Sequence, residues 1–209
     1  FIEKMKVIQA GNMIKSFILY SSAEAHGPQS EYIRHGMDYN QWLRNIDRVL
    51  QEIPNIAVSI MSTYNLMSLP TYNKFLEDLL KIRVKYKDLQ KNIGRPAVTI
   101  DIPYLRDPKH QAVYIMEPDL MHYVDEQIEY MESNLESPAN GYAGFKEVEI
   151  YKLRRIKSVI EEELANPKDI VRLRKDFILF VDEHDRRRGT DFLATFPEFK
   201  NLYEKWKQL

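Results

Sequence analysis

A group of polar side chains follows the first long apolar run of the sequence, which begins at Phe17. The group consists of Ser22, Glu24, His26 and Arg34. The apolar run is typical of a strand buried on both faces. Ligands of parallel α/β sheets bind just beyond the carboxyl ends of the strands, so this group lies where chemistry is usually done. Glu24 and Arg34 could also form a simple ion pair of the loop.

Two later apolar runs end in polar side chains as well. Thr63 and Asn65 follow residues 56–61, where they would either line the same binding site as the first group or cap a turn. Asp101 and Tyr104 follow a third run, and Asp101 is either a substrate contact or an ordinary acid at a strand end. A rival interpretation makes Glu24 and Asp101 the paired carboxylates of a hydrolase, which requires a separation of roughly 5 to 10 Å.

The three apolar runs begin near residues 17, 56 and 97, and the sequence predicts an amphipathic helix between each pair. Asp38 is predicted to cap the first of these helices after a loop at Gly27-Pro28, and Pro70 to begin the second. This order predicts right-handed βαβ units in a parallel sheet. Three strands cannot close a barrel, so we expect neighbouring strands N-terminal to Phe1.

From Pro118 onward the pattern predicts helices alone, at about 118–135, 145–164 and 170–188 and a last one after Pro197. We therefore expect an α/β part over residues 1–117, resembling half of a (β/α) barrel, and an α-helical C-terminal extension over residues 118–209. A large exposed apolar patch on residues 145–209 would instead favour a non-catalytic module that binds a partner.

Composition argues against several classes of function. Lys and Arg number 30 against 31 Asp and Glu, so the charge gives no reason to expect nucleic acid or an acidic membrane as partner. The chain has no cysteine, which fits a reducing compartment such as the cytoplasm. No apolar stretch is long enough to span a bilayer. The five histidines lack the spacing of a metal motif, so we expect no metal site.

The residues after the first apolar run resemble those of a known family. Ser22-Ala23-Glu24-Ala25, Gly27 and the run Glu-Tyr-Ile-Arg-His-Gly at residues 31–36 are similar to the fourth-strand region of radical S-adenosylmethionine (SAM) enzymes. The similarity is closest to the members that carry a twitch domain. Residues 62–69 and 187–198 resemble the segment after the family's fifth strand and its C-terminal signature. Glu24 stands where the family usually has Asp, and the Cys-x-x-x-Cys-x-x-Cys motif is absent.

The resemblance implies that this chain corresponds to the second half of such an enzyme. The intact protein would use a four-iron four-sulfur (4Fe-4S) cluster to cleave SAM reductively, and the 5′-deoxyadenosyl radical would abstract a hydrogen atom from the substrate. The cluster ligands would lie in an N-terminal half of the same protein, so this chain alone would be inactive. The substrate, a small molecule or a peptide, is not specified.

The resemblance also implies roles for individual residues. Ser22, Glu24 and Arg34 would contact the ribose and methionine parts of SAM, with Arg34 binding the methionine carboxylate. Thr63 and Asn65 would complete the cofactor pocket. Asp101 and Tyr104 would lie on the substrate side.

Overall fold

The computed structural model describes residues 1–89 and 96–209. This part of the chain contains one sheet of three parallel strands, β1 (Phe17–Ser22), β2 (Ile56–Met61) and β3 (Val98–Asp101), in the order β1-β2-β3. Ser22, Met61 and Asp101 stand in register at the carboxyl ends of the strands. The parallel sheet predicted from the spacing of the apolar runs is therefore confirmed.

Four helices accompany these strands: α1 (Ile2–Ala10), α2 (Gly27–Ile33), α3 (Tyr39–Glu52) and α4 (Tyr72–Lys85). The predicted cap of α3 is confirmed, because the Asp38 side chain accepts a hydrogen bond from the Gln41 backbone N–H at 2.7 Å. The predicted loop at Gly27-Pro28 is wrong. These two residues begin α2, where proline is tolerated because the first N–H groups of a helix have no intrahelical partner.

The remainder of the chain is helical, as predicted, with α5 (Met121–Ser133), α6 (Glu147–Ala165), α7 (Ile170–Arg188), α8 (Phe192–Thr195) and α9 (Lys200–Lys207). Gly189 ends α7 in the left-handed conformation that glycine adopts easily, with φ of 65°. The sequence interpretation missed the short helix α8. Its N-cap is Asp191, whose side chain accepts from the Ala194 N–H at 2.9 Å.

The two faces of the sheet differ in what covers them. On one face Val58 and Val98 are fully buried and lie against α3 and α4. Side chains alternate along a strand, so the opposite face, which we call the open face, carries the polar residues Tyr20, Ser22, Ser59, Thr99 and Asp101 together with Ile18, Ala57 and Met61. Tyr20 is 64% exposed, and the Thr99 hydroxyl donates to the Ser59 hydroxyl at 3.2 Å. The sheet thus has one mainly apolar covered face and one mixed, partly exposed face that carries most of the polar side chains of the strands.

The two outer strands also differ. At the edge of β3, a carboxylate oxygen of Glu149 in α6 accepts the Ile100 N–H at 3.1 Å, and Lys152 pairs with Asp101 at 2.5 Å. At the outer edge of β1 the described residues supply no further strand. The sheet can therefore be extended by hydrogen bonding beside β1, whereas α6 occupies the edge of β3.

A buried ion pair joins the α/β part to the helical part. Arg83 of α4 donates to both carboxylate oxygens of Glu149, at 2.9 and 2.6 Å, and to the Gly144 carbonyl at 3.0 Å. Burial disfavours the charged form of Glu149, but the attraction and hydrogen bonds of Arg83 outweigh burial and lower the pKa of Glu149. The hydrophobic core runs without interruption from the first helix to Trp206, so both parts pack on one core.

Candidate functional site

The predicted residues at the ends of β1 and β3 lie at one edge of the sheet. Ser22 is in register with Met61, and Met61 with Asp101. Neighbouring strands lie about 4.8 Å apart, so the backbones of Ser22 and Asp101 are separated by about 10 Å. Both residues belong to the open face. The Ser22 hydroxyl and the Asp101 carboxylate therefore lie at the same end of the sheet, two strands apart.

Glu24 and Arg34 form a bidentate ion pair just beyond β1. Arg34 Nε donates to one carboxylate oxygen at 2.6 Å, and Nη2 donates to the other. These hydrogen bonds raise the pKa of Arg34. Glu24 is only 2% exposed, whereas the Arg34 side chain is 41% exposed. Nη1 of Arg34 has no hydrogen-bond partner among residues 1–89 and 96–209, so its N–H groups are available to another acceptor.

Helix α2 places Arg34, which is the residue that ends it. Several hydrogen bonds fix this helix to its surroundings. Gln29 accepts from the Thr71 hydroxyl at 2.8 Å and donates to the Thr195 carbonyl at 3.1 Å and to Glu198 at 3.2 Å. Next to α2, His26 Nε2 lies 3.4 Å from an oxygen of Asp78. The position of Arg34 thus depends on the segment before α4 and on the C-terminal segment.

Asp185 of α7 forms the other link between α2 and the C-terminal segment. Its carboxylate accepts from the Tyr32 hydroxyl at 2.9 Å, the Thr190 hydroxyl at 2.7 Å and the Phe192 N–H at 2.7 Å. Burial and the neighbouring Asp185 raise the pKa of Tyr32, so Tyr32 stays a neutral donor. Sequence reasoning missed Tyr32 and Asp185 as partners, because no local pattern links residues so far apart in the chain.

His184 adjoins this network and is buried. Its ring stacks on Tyr32 with 4.2 Å between centroids, Nδ1 lies 3.0 Å from the Thr190 hydroxyl, and Nε2 lies 3.0 Å from Arg188. Burial is the main cause of a lowered pKa of His184, and Arg188 and His35 lower it further while Asp185 raises it. The folded protein therefore favours the neutral imidazole.

We expect the protein to lose stability as the pH falls below about 6.5, the usual pKa of an unfolded histidine. In the interval below that value the unfolded chain binds more protons at His184, so stability rises with pH by at most about 1.4 kcal/mol per pH unit. Urea unfolding at pH 7.5 and 5.5 measures this, and His184→Gln should show a smaller difference between the two pH values. His122→Gln, at an exposed histidine, is the control. Equal pH dependence in the wild type and His184→Gln would contradict the assignment.

The predicted cofactor residues after β2 serve the turn in which they lie. Asn65 is buried, and its side-chain oxygen accepts from the Met67 N–H at 3.0 Å while its amide donates to the Thr63 carbonyl at 3.0 Å. The Ser68 hydroxyl accepts from the Asn65 N–H at 3.2 Å. Asn65 thus caps the 3₁₀ turn Leu66–Thr71, in agreement with the turn-capping interpretation. Thr63 is half-buried at the end of β2.

The predicted substrate residues, Asp101 and Tyr104, line one cavity of about 310 Å³. Asp101 is paired there with Lys152. Backbone hydrogen bonds hold the segment after β3 beside the end of β2, because Tyr64 N–H donates to Pro103 and Leu105 N–H donates to Tyr64. The structure therefore places these two residues together at β3, while Ser22, Glu24 and Arg34 lie at the same end of the sheet but at β1, two strands away.

Comparison of the chain with protein-family models, with curated proteins and with solved structures finds no match. The described residues contain no cluster of three or more His, Asp or Glu side chains arranged to hold a metal ion. In the same part of the chain, none of the helices combines the length and apolar character needed to cross a membrane.

Proposed function

We propose that this chain is part of a radical SAM enzyme, to which it contributes SAM-binding and substrate-side residues. The observation that carries the proposal is the Glu24–Arg34 pair. It holds a guanidinium just beyond the carboxyl end of β1, at the residues that resemble the family's fourth-strand motif. The N-terminal half of the same protein would complete the site, in a reducing, cytoplasmic setting.

The proposed half-barrel is supported by the asymmetry of the sheet. In a (β/α) barrel the helices cover the outside, and the active site lies at the carboxyl ends of the strands. Here α3 and α4 cover one face, and the open face carries Ser22, Ser59 and Thr99. The strands of the N-terminal half would pair with the outer edge of β1, since α6 occupies the edge of β3.

The side chains near β1 fit SAM in part. Arg34 can bind the methionine carboxylate through Nη1, and the Ser22 hydroxyl can accept or donate a hydrogen bond beside it. Glu24 fits a direct contact with the ribose less well, because each of its oxygens already accepts from Arg34. Its role in the proposal is to orient Arg34. Bound SAM would supply the group that removes a hydrogen atom from the substrate.

The chain does not fit a 4Fe-4S cluster, because such clusters are held by cysteine thiolates and the sequence contains no cysteine. The proposal therefore places the cluster ligands in the N-terminal half of the protein. It assigns no step of cluster chemistry to the residues of this chain.

The two rival functions have less support. Glu24 and Asp101 are each engaged in an ion pair, with Arg34 and Lys152, so a hydrolase would have to break both pairs to free its carboxylates. A partner-binding module would need one large exposed apolar patch on residues 145–209. The exposed large apolar side chains of this part are instead spread over α6, α7 and the C-terminal end, namely Val148, Tyr151, Val171, Leu179 and Leu209.

We expect Arg34→Ala to weaken SAM binding by about 1.5 to 3 kcal/mol, the scale of a charged hydrogen bond, which is roughly a tenfold to hundredfold loss of affinity. Glu24→Gln should also weaken binding, because the amide cannot hold Arg34 as a charged bidentate acceptor does. Isothermal titration of SAM into the full-length protein, with a thermal melt of each variant, measures both effects.

Arg44→Ala is the matched control, since Arg44 is an exposed arginine of α3 that hydrogen-bonds only to Gln41 among the described residues. It should leave SAM affinity unchanged. If Arg34→Ala lowers the melting temperature but binds SAM as the wild type does, the Glu24–Arg34 pair is structural and the proposed cofactor site is wrong.

A further inference from the structure

A larger cavity, of about 600 Å³, lies next to the cavity at Asp101. It is formed by the segment after β3, by the C-terminal part of α6, by the turn between α6 and α7 and by the first turn of α7. Tyr104 and Arg106 belong to the walls of both cavities, so the two cavities adjoin at these side chains. We call this combined space the basic cleft. It leads from the carboxyl end of β3 along the C-terminal helices.

The walls of the basic cleft carry more positive than negative charge. They contain six cations and four acids: Arg106, Lys109, Lys152, Arg155, Lys168 and Arg172, with Asp101, Asp107, Glu163 and Asp169. Two cations are already neutralised, because Lys152 pairs with Asp101 and Arg172 with Asp169. Within the described part of the chain the remaining four cations have no ion-pair partner. They face only two unpaired acids, which leaves an excess of two positive charges.

Two features distinguish this excess from the scattered cations of an ordinary surface. The four unpaired cations are exposed to solvent, but they line a concave space, where their fields add. Arg106 is also oriented, because its guanidinium carbon lies 5.1 Å from the centre of the Tyr104 ring. Tyr114 lies in the same wall, and burial, Glu163 and Asp107 raise its pKa, so it remains a neutral hydroxyl donor.

We infer that the basic cleft binds an anionic ligand that carries at least two negative charges as phosphate or carboxylate groups. Arg106 and Lys168 are the principal cations in this assignment, and Tyr104 provides an aromatic surface beside them. This inference rests on the proposed function, because it identifies the ligand as the substrate whose reacting part reaches Asp101. Phosphate and carboxylate groups both offer a pair of anionic oxygens that can accept two hydrogen bonds from one arginine guanidinium, so the test compares a probe of each kind.

The test is isothermal titration of pyrophosphate, and separately of citrate, into the full-length protein. We expect at least one of these probes to bind at millimolar concentration or below, and Arg106→Ala to weaken that binding about tenfold. Arg106→Lys should lose less affinity than Arg106→Ala, because it keeps the positive charge and loses only the planar guanidinium that can donate two parallel hydrogen bonds. Lys4→Ala is the control, since it removes the same charge from an exposed lysine of α1 and should leave binding unchanged.

Tighter binding of pyrophosphate would identify a phosphate ligand, and tighter binding of citrate a carboxylate ligand. The inference is overturned if neither probe binds, or if Arg106→Ala and Lys4→Ala change the affinity equally. SAM titrated into the same samples separates this result from the proposed function. If the protein binds SAM but neither anion, only the inference about the basic cleft is wrong. If it binds an anion but not SAM, the radical SAM proposal and the substrate role of the anion are wrong, and the basic cleft is an anion site of another function.

Discussion

Replacing Arg83 with alanine is expected to lower the free energy of unfolding by about 3 to 5 kcal/mol. The variant leaves Glu149, which is 3% exposed, as a buried carboxylate without its charged partner. It also removes the donor to the Gly144 carbonyl. Urea unfolding followed by circular dichroism gives the free energy, and the melting temperature should fall by about 2 to 4 °C for each kcal/mol.

Arg154→Ala is the control for this prediction. Arg154 is an arginine of α6 that pairs with Glu132 and Glu147 at 2.7 and 2.6 Å, yet its side chain is 43% exposed. Exposed ion pairs contribute about 0 to 1 kcal/mol, so its loss should be small. Equal destabilisation by the two substitutions would show that burial of the Arg83–Glu149 pair does not determine its contribution.

The parts of the fold that could be predicted depend on local signals. Apolar runs separated by amphipathic stretches identified the three strands, and Asp38 and Gly189 marked helix ends because capping depends on neighbouring residues. The start of α2 was misassigned since Gly27-Pro28 is a turn signal as well as an acceptable first turn of a helix. At such positions the local pattern fits both a turn and a helix start, and tertiary packing selects one of these two structures.

The candidate site was predictable only in outline. Register between parallel strands brings Ser22 and Asp101 to one edge, and that follows from the order of the strands. The sequence left open whether Glu24 and Arg34 pair with each other, and the structure shows that they do. Contacts between distant residues, such as that of Tyr32 with Asp185, depend on how the C-terminal helices pack, which no local pattern specifies.

The contact between Tyr32 and Asp185 gives rise to the second large predicted effect, a loss of stability. Asp185→Ala is expected to lower the free energy of unfolding by about 2 to 4 kcal/mol, because it removes three hydrogen bonds to a charged group and leaves the buried Tyr32 hydroxyl without its acceptor. If the protein binds SAM as proposed, SAM affinity should fall as well, since Tyr32 belongs to α2, which ends at Arg34. Urea unfolding and SAM titration of the full-length protein measure the two effects.

Two further variants separate positioning of Arg34 from general destabilisation. Asp182→Ala removes an exposed carboxylate from the same helix, where it accepts from Tyr203 and pairs with Lys207, and should cost no more than about 1 kcal/mol. Tyr32→Phe removes one hydroxyl and leaves the other two hydrogen bonds of Asp185 in place. If α2 positions the Arg34 guanidinium, Tyr32→Phe weakens SAM binding in a protein that remains folded at the assay temperature. Unchanged SAM affinity in both Tyr32→Phe and Asp185→Ala would mean that the C-terminal segment stabilises α2 without positioning Arg34.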